Sequence, residues 1–528
     1  MPHSAAPATS VDVAPYSARV SLAVLAALIA SALLLFGCSG APHPAPGDVT
    51  FLIESMPANL DPRIGTDFAS ERMDGLLFDS LVQSDTQMNI QPDLASTWEQ
   101  PDPATYIFHL RHDVRFHDGR ALTSADVKFT FDSITSGAVQ TPKRGAFSTI
   151  RAIETPDPYT VVFRLKSIST SFLWDISRPA IGIVPQGAGA DFAQHPIGTG
   201  PFRFESAVQD DNVLFARNAD YFGGAPQINE VRFRIVPEAI VRALELRKGT
   251  ADIEMSSLSP DMVPVLARQP GIAVTEEPGT NYSYVAFNFD TPELAHREVR
   301  QALAYATDRA SIVQYFLRGQ ARLANGLLPP GNWAAAPNLP SYPYDPARAE
   351  QLLDAAGFPR RADLGGMRLH LTLKTSTEEY SRLLGAVLRE QWRKVGVDLE
   401  LRALEFGTLY ADITRGNFEL YTLRWIGVNN DPSVFQYAFA SDHMPPAGFN
   451  RGHYRNPRLD ALMAQASIEP DLARRKALFF QIQQIVAEDV PYISLWFNDN
   501  ICVHRTRITG IELSPAGNYG FLCTIRAN

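Results

Sequence analysis

The residues able to do chemistry are few and scattered. Gly198, Thr199 and Gly200 form a GTG run that lacks the lysine and hydroxyl ending of a phosphate loop and the full spacing of a dinucleotide fingerprint, so it reads as a turn. His109, His112 and His117 cluster in FHLRHDVRFHDG. On a strand, however, the odd spacing of His109 and His112 sends them to opposite faces, which argues against a shared metal. GxSxG, HExxH and CxxC runs do not occur. Of the three cysteines, Cys38 sits at the end of an apolar leader and Cys502 and Cys523 lie near the C-terminus. A disulfide between the last two and a pair of separate thiols are both open. No catalytic constellation, cofactor motif or metal ligand set emerges from these runs.

Where the protein resides is indicated by the leader. Val20 to Phe36 holds only apolar residues and two serines, with Arg19 before it, which is the charged-then-apolar order of an export signal. Leu35, Phe36, Gly37 and Cys38 then resemble the lipobox of bacterial lipoproteins, in which the cysteine is acylated and becomes the mature N-terminus. An uncleaved membrane helix is the alternative, since a run of about 17 residues only just reaches spanning length. The prolines of APHPAPG, from Ala41 to Gly47, make an extended tether. The expected order is therefore a lipoprotein signal peptide over 1–38 and a proline-rich tether over 39–47. A net charge of −10 leaves no basic footprint for phosphate backbones, so nucleic acid is not an expected partner.

The rest of the 528 residues, 45% of the chain being hydrophobic, is ample for two or three domains. Alternation marks strands at Tyr106, Phe108 and Leu110, at Val161, Phe163 and Leu165, and at Val231, Phe233 and Ile235, with Arg232 and Arg234 facing outward. Thr123 and Asp126 have the spacing of a capping box ahead of the helical stripe Val127, Phe131 and Ile134. Asp345 and Pro346 open a second helix, with Ala349, Leu352, Leu353 and Ala356 on one face and Gly357 as its stop. Arg297 to Leu317 and Arg474 to Val490 carry the same period. Strands and helices mixed in this way require sheets covered by helices, an α/β or α+β arrangement.

Eight segments, taken in order, resemble the extracytoplasmic solute-binding proteins of ABC importers, specifically the large peptide- and nickel-binding family 5. They are IQPDLASTWEQ from Ile90, TYIFHLRHDVRFHDGRALTSADVKF from Thr105, PIGTGPFRF from Pro196, RNADYFGG from Arg217, VAFNFDTPELAHREVRQALAYATDR from Val285, YDPARAEQLLDAAGF from Tyr344, RWIGVNNDP from Arg424 and YRNPRLDALM from Tyr454. The resemblance implies an α/β bilobal clamp of the periplasmic-binding-protein type, class II in its large form with an extra subdomain. On that basis 48–78, 196–278 and 498–528 make lobe I, 79–195 the extra subdomain and 279–497 lobe II, with a hinge near Pro278 and Asn498. It also implies a task for such a clamp: a monomeric receptor, lipid-anchored in the periplasm or at the cell surface, hands a captured solute intact to an ABC permease and its ATPase.

The resemblance also places ligand contacts. Met56, Pro57, Ala58 and Asn59 lie where the opposing lobe meets ligand, and Tyr282, Tyr284, Arg424, Trp425, Asn429, Asn430 and Asp431 line the other side. In peptide-binding relatives an aspartate three residues after the loop tryptophan holds the ligand's ammonium, whereas here that residue is Val428. A buried ammonium without its partner costs about 3 to 5 kcal/mol. Asp431 either substitutes for the missing acid or caps the turn before Pro432. Arg424 either faces the cleft, where it suits a carboxylate, or points outward. Asn429 and Asn430 either offer neutral hydrogen bonds or shape the turn. Tyr282 and Tyr284 share one strand face and are either cleft walls or core. The expected ligand is a peptide held mainly through its backbone and carboxylate. The alternatives are a non-peptide solute, such as an opine, oligosaccharide or metal chelate, or an adhesive or chaperone-like lipoprotein with no transport role.

Overall fold

A computed structural model describes residues 47–85, 89–177, 181–425, 431–445 and 448–528. Arg19, Cys38, nearly all of the tether, Val428, Asn429 and Asn430 lie outside the described residues.

The alternating apolar residues do form strands, and among the described residues 11 of them join one sheet. From one edge the order is Val397–Leu404, Leu369–Ser376, Leu420–Trp425, Ile272–Phe287, Tyr492–Arg505, Ile253–Met255, Asp48–Ile53, Glu230–Ile235, Asn212–Arg217 and Phe202–Val208, with Ala321–Leu323 also paired on Tyr492–Arg505. Leu369–Ser376 runs parallel to both Val397–Leu404 and Leu420–Trp425. At the other end Asp48–Ile53 runs parallel to Glu230–Ile235 and Ile253–Met255. There Val231 and Phe233 are buried while Arg232 is exposed, as the period of two requires. Phe51 packs edge-on against Phe233 at 5.4 Å and Tyr519 at 4.6 Å, so the C-terminal residues close the core of this half.

Both faces of the opposite half are covered. Val285, Phe287, Leu371, Leu373, Leu388 and Trp392 pack on one side, and Tyr284, Tyr421, Phe439, Ile482 and Tyr492 on the other. The expected helix from Arg297 to Leu317 is broken: it ends at Tyr305, and a new turn starts at Arg309. The reason is local competition for backbone groups. Thr307 Oγ1 donates to the Leu303 carbonyl at 2.8 Å and accepts from the buried Trp392 indole at 2.9 Å, while Asp308 accepts from the Ser311 amide at 3.0 Å.

A separate four-stranded sheet, Ala95–Asp102, Thr105–Leu110, Thr160–Leu165 and Ile150–Asp157, has its own core with the helix Ser124–Thr135. Thr123 N donates to the Asp126 carboxylate at 2.9 Å, and Phe131 meets Phe163 edge-on at 5.2 Å. His109 pairs with Glu99, His112 stacks on Tyr159, and His117 Nδ1 accepts from the Gly198 amide at 3.2 Å. The Gly198–Gly200 turn passes so close to Leu77 that a Cβ on Gly198 would sit 1.8 Å from the Leu77 carbonyl oxygen.

Asp79 lies buried where this segment leaves the large sheet, accepting from Thr199 Oγ1 at 2.6 Å and Tyr221 Oη at 2.8 Å. Burial, opposed by these two hydrogen bonds, raises its carboxyl to about 6. Burial raises neighbouring Asp93 as well, with the charge of Asp79 adding to the effect. A carboxyl that holds its proton more tightly folded than unfolded stabilises the fold below the unfolded pKa, and that contribution is lost as pH rises through the folded value. For Asp79 the loss between pH 4 and pH 7 is expected to be roughly 2 kcal/mol. Urea unfolding of wild type and Asp79→Asn across this window should show the difference between them changing in that direction, and a pH-independent difference would contradict the assignment.

The two halves of the sheet are joined by the antiparallel pair Ile272–Phe287 and Tyr492–Arg505, whose register breaks between Glu277 and Asn281. Gly279 sits in the break, and a Cβ there would lie 2.2 Å from the Asn498 carbonyl oxygen. Gly279→Val is therefore expected to lower unfolding free energy by about 1 to 3 kcal/mol through a forced backbone shift. A urea midpoint equal to wild type would show that the strands have room to spare.

Candidate functional site

The three parallel strands of the second half end together at Ser376, Leu404 and Trp425. In open α/β sheets the carboxyl ends of parallel strands are where ligands bind. The joining strands cross at the same end, pairing Ser283 with both Arg424 and Trp496, and Tyr282 with both Trp425 and Phe497. Alternation then sorts the residues into two sets on opposite faces. Arg424 and Trp425, adjacent in the chain, cannot line the same wall.

On one face Arg424 is exposed, and its guanidinium carbon lies 5.4 Å from the centre of the Tyr380 ring. It makes no ion pair among the described residues. The Tyr380 hydroxyl lies beside Trp496, Ser283 and Asn498 without completing a hydrogen bond. Trp496 Nε1, Ser376 Oγ and Asn281 Oδ1 are likewise buried without partners, whereas Ser283 Oγ donates to Asn498 Oδ1 at 2.8 Å. Burial raises the Tyr380 phenol, with the positive charge of Arg424 acting against it. The set is rich in donors and poor in carboxylates. It is suited to an acceptor group, above all a carboxylate.

On the other face Tyr282 and Tyr284 are each 1% exposed and Trp425 is 9% exposed. Tyr284 stacks on Tyr492 at 4.3 Å and on Trp425 at 6.3 Å, and Phe449 meets Trp425 edge-on at 5.8 Å. Tyr282 Oη donates to Ser494 Oγ at 2.6 Å. The two tyrosines thus take the core position that alternation left open, and on this face Trp425 Nε1 and Tyr421 Oη are buried without partners. Behind Tyr282 lies a cavity of about 30 Å³ bordered by Arg309, Tyr342, Gln483 and Ser494, which has room for water but not for a solute.

Asp431 is buried, and its Oδ1 accepts from the Ser433 amide at 2.8 Å, so it caps the turn at Pro432. Its Oδ2 lies 3.9 Å from Arg475 Nη2. In the opposing half, Met56 packs against the core, Pro57 is buried and Ala58 is exposed. Asn59 N donates to Ser70 Oγ at 3.0 Å, and its Oδ1 accepts from the Asp61 amide at 2.9 Å. Near them Arg72 is buried with its guanidinium over Phe68 at 3.4 Å and over Tyr519 at 4.8 Å. Its Nε and Nη2 have no partner.

Sequence reasoning missed Tyr380, Trp496, Ser376, Arg72 and Arg475. Each looks like an ordinary helix or strand residue until packing between distant segments gives it neighbours: Tyr380, Trp496 and Ser376 near Arg424, Arg72 in the opposing half and Arg475 beside Asp431. Cys502 and Cys523 are free thiols.

A sheet running through two lobes, joined by one pair of crossing strands and carrying an inserted four-stranded subdomain, defines a bilobal clamp of the periplasmic-binding-protein type, class II in its large form. The model of the bacterial extracellular solute-binding proteins, family 5 Middle, matches residues 89–444, and the chain belongs to this family. It is 27% identical over 542 residues to Di/tripeptide-binding protein 1 of Pseudomonas aeruginosa (strain UCBPP-PA14), an alignment covering 96% of this chain and 98% of the relative. It is 26% identical over 517 residues to the glutathione-binding protein GsiB of Shigella dysenteriae serotype 1 (strain Sd197), covering 96% and 98%. The solved structure of NikZ from Campylobacter jejuni in complex with Ni(L-His) matches with a TM-score of 0.81 at 26% identity, over 92% of this chain and 100% of that one.

The core placement of the tyrosines has a direct consequence. Tyr282→Phe removes one buried hydroxyl bond and is expected to cost about 1 kcal/mol in urea unfolding. No loss at all would mean that the hydroxyl is not bonded to Ser494.

Proposed function

We propose that this protein is a lipid-anchored receptor of an ABC importer that captures peptides or peptide-like solutes between its lobes and passes them intact to the permease. In this reading Cys38 carries the lipid and 39–47 is the tether. Residues 48–78, 196–278 and 498–528 form lobe I, 79–195 the extra subdomain and 279–497 lobe II. The receptor works as a monomer in the periplasm or at the cell surface, and anchoring raises its effective concentration near the permease. Energy for transport comes from the partner ATPase, and the clamp itself catalyses nothing.

The observation that carries the ligand assignment is the donor-rich strand end around Arg424, which lacks an acid to neutralise it. A ligand carboxylate supplies that acid, and the names of the relatives as di/tripeptide- and glutathione-binding proteins agree with a solute of this kind. Closure requires the ligand to touch both lobes, and the Met56–Asn59 stretch is the proposed opposing contact. Val428, where a peptide receptor of this family would carry an aspartate, favours a second reading in which the solute is acidic but not a free-amine peptide.

Native mass spectrometry of protein purified without refolding should show a co-purified peptide or peptide-like acid. A sugar or metal chelate in its place, with no peptide, would overturn the peptide assignment. Arg424→Met should weaken binding of the co-purified solute by about 2 to 5 kcal/mol, at least tenfold in Kd by calorimetry, because a buried carboxylate would lose its charged partner. Unchanged affinity would remove Arg424 from the site.

A further inference from the structure

Away from the strand ends, a second polar junction joins two segments that are distant in sequence. Thr170, in a turn of the inserted subdomain, donates its amide and its hydroxyl to the Ser467 carbonyl at 3.3 and 3.2 Å. The carbonyl of Thr170 accepts from Arg475 Nη1 at 3.5 Å. Ser467 lies at the end of the helix Pro457–Ile468, and Arg475 lies in the first turn of the helix Leu472–Asp489. The subdomain thus meets the second lobe at a point the chain itself does not connect.

Arg475 is built into this junction rather than left on the surface. Its side chain is 10% exposed, beside an Asp431 side chain that is 9% exposed. Its guanidinium lies 5.2 Å from the centre of the Trp333 ring and 5.6 Å from that of Phe479. Nε has no partner. Tyr106, from the same subdomain, approaches it and donates its hydroxyl to the Ser169 carbonyl at 3.4 Å. Three hydrogen bonds thus cross the junction between the inserted subdomain and the two helices of the second lobe.

We infer that Thr170, Ser467 and Arg475 form a latch that holds the inserted subdomain against the second lobe when the clamp is closed, with Asp431 as the counter-charge that positions the arginine. The hinge at Gly279 and Asn498 lets the lobes separate, and the latch resists that motion at a distance from it. Asp431 stays with Arg475 in either state, so opening breaks hydrogen bonds to a carbonyl but strands no charge. Arg475 is a positioning residue: it acts on ligand capture through lobe closure. The inference rests on the lobe assignment above and not on the ligand being a peptide.

Hydrogen exchange on the full chain, with wild type, Arg475→Met and Arg475→Lys compared, tests the latch. In Arg475→Met the amides of 169–171 should exchange at least tenfold faster, while the joining strands 272–287 and 492–505 keep their protection. Arg475→Lys, which keeps a charge beside Asp431, should recover part of that protection. Small-angle scattering should give Arg475→Met the larger radius of gyration. Unchanged exchange at 169–171, equal radii, or loosening confined to the helix Leu472–Asp489 would overturn the latch, the last because it marks a packing role alone. Native mass spectrometry of the same samples identifies the solute independently, so failure of the latch and failure of the peptide reading are separable.

Discussion

The pairing of Ile272–Phe287 with Tyr492–Arg505 is the constraint on which the rest of the molecule depends, because these two strands carry one hydrogen-bonded sheet from the first lobe into the second. On one side of the register break they pair Ile272 through Glu277 with Asn500 through Arg505, and on the other Asn281 through Ala286 with Tyr492 through Asn498. The ladder is interrupted at this break, where Gly279 brings two backbones within contact. The same two strands carry Ser283 and Trp496 to the strand end where Arg424 and Tyr380 lie, so Gly279 and the proposed ligand contacts share one element.

The electrostatics of the closed end follow from what is missing as much as from what is present. Several arginines elsewhere are gripped by acceptors, Arg63 by Asp61 at 2.7 Å, Arg507 by Asp252 at 2.7 Å, and Arg300 by the Leu294, Asp489 and Val490 carbonyls, while buried Arg242, Arg368 and Arg475 each leave only Nε unpartnered. Arg424 and the Nε and Nη2 edge of Arg72 are not satisfied in this way. Elsewhere that edge grips carboxylates in pairs, as in Arg164 with Glu154 and Arg361 with Asp363. The buried unpartnered donors of Arg72, Trp496 and Ser376 are a cost to the free protein that an acceptor would offset, whereas exposed Arg424 is hydrated until a ligand replaces that water.

The sequence carried the fold well where local physics decided it. The capping box at Thr123, the Asp345 and Pro346 helix start and the alternation through Val231 and Phe233 are all set by near neighbours, and the structure has them. The helix from Arg297 was overextended because its stop depends on Trp392, a residue 85 positions beyond Thr307 whose indole holds the Thr307 hydroxyl. The site was harder to read for the same reason. Strand period placed Tyr282 and Tyr284 on one face but could not say which face was core. Arg424 meets the Tyr380 ring and reaches the neighbourhood of Trp496 through their shared strand partner Ser283, an arrangement that exists only after strand pairing. Asp431 was legible as a turn cap, while its pairing with Arg475 was not.

A crystal structure of the protein with its co-purified solute tests the central claim most directly. The account places the solute between the lobes, with a carboxylate on Arg424 and within reach of Tyr380, and with its far side against the Met56–Asn59 stretch. A solute bound elsewhere, or one held between the lobes without an anionic group on Arg424, would contradict it.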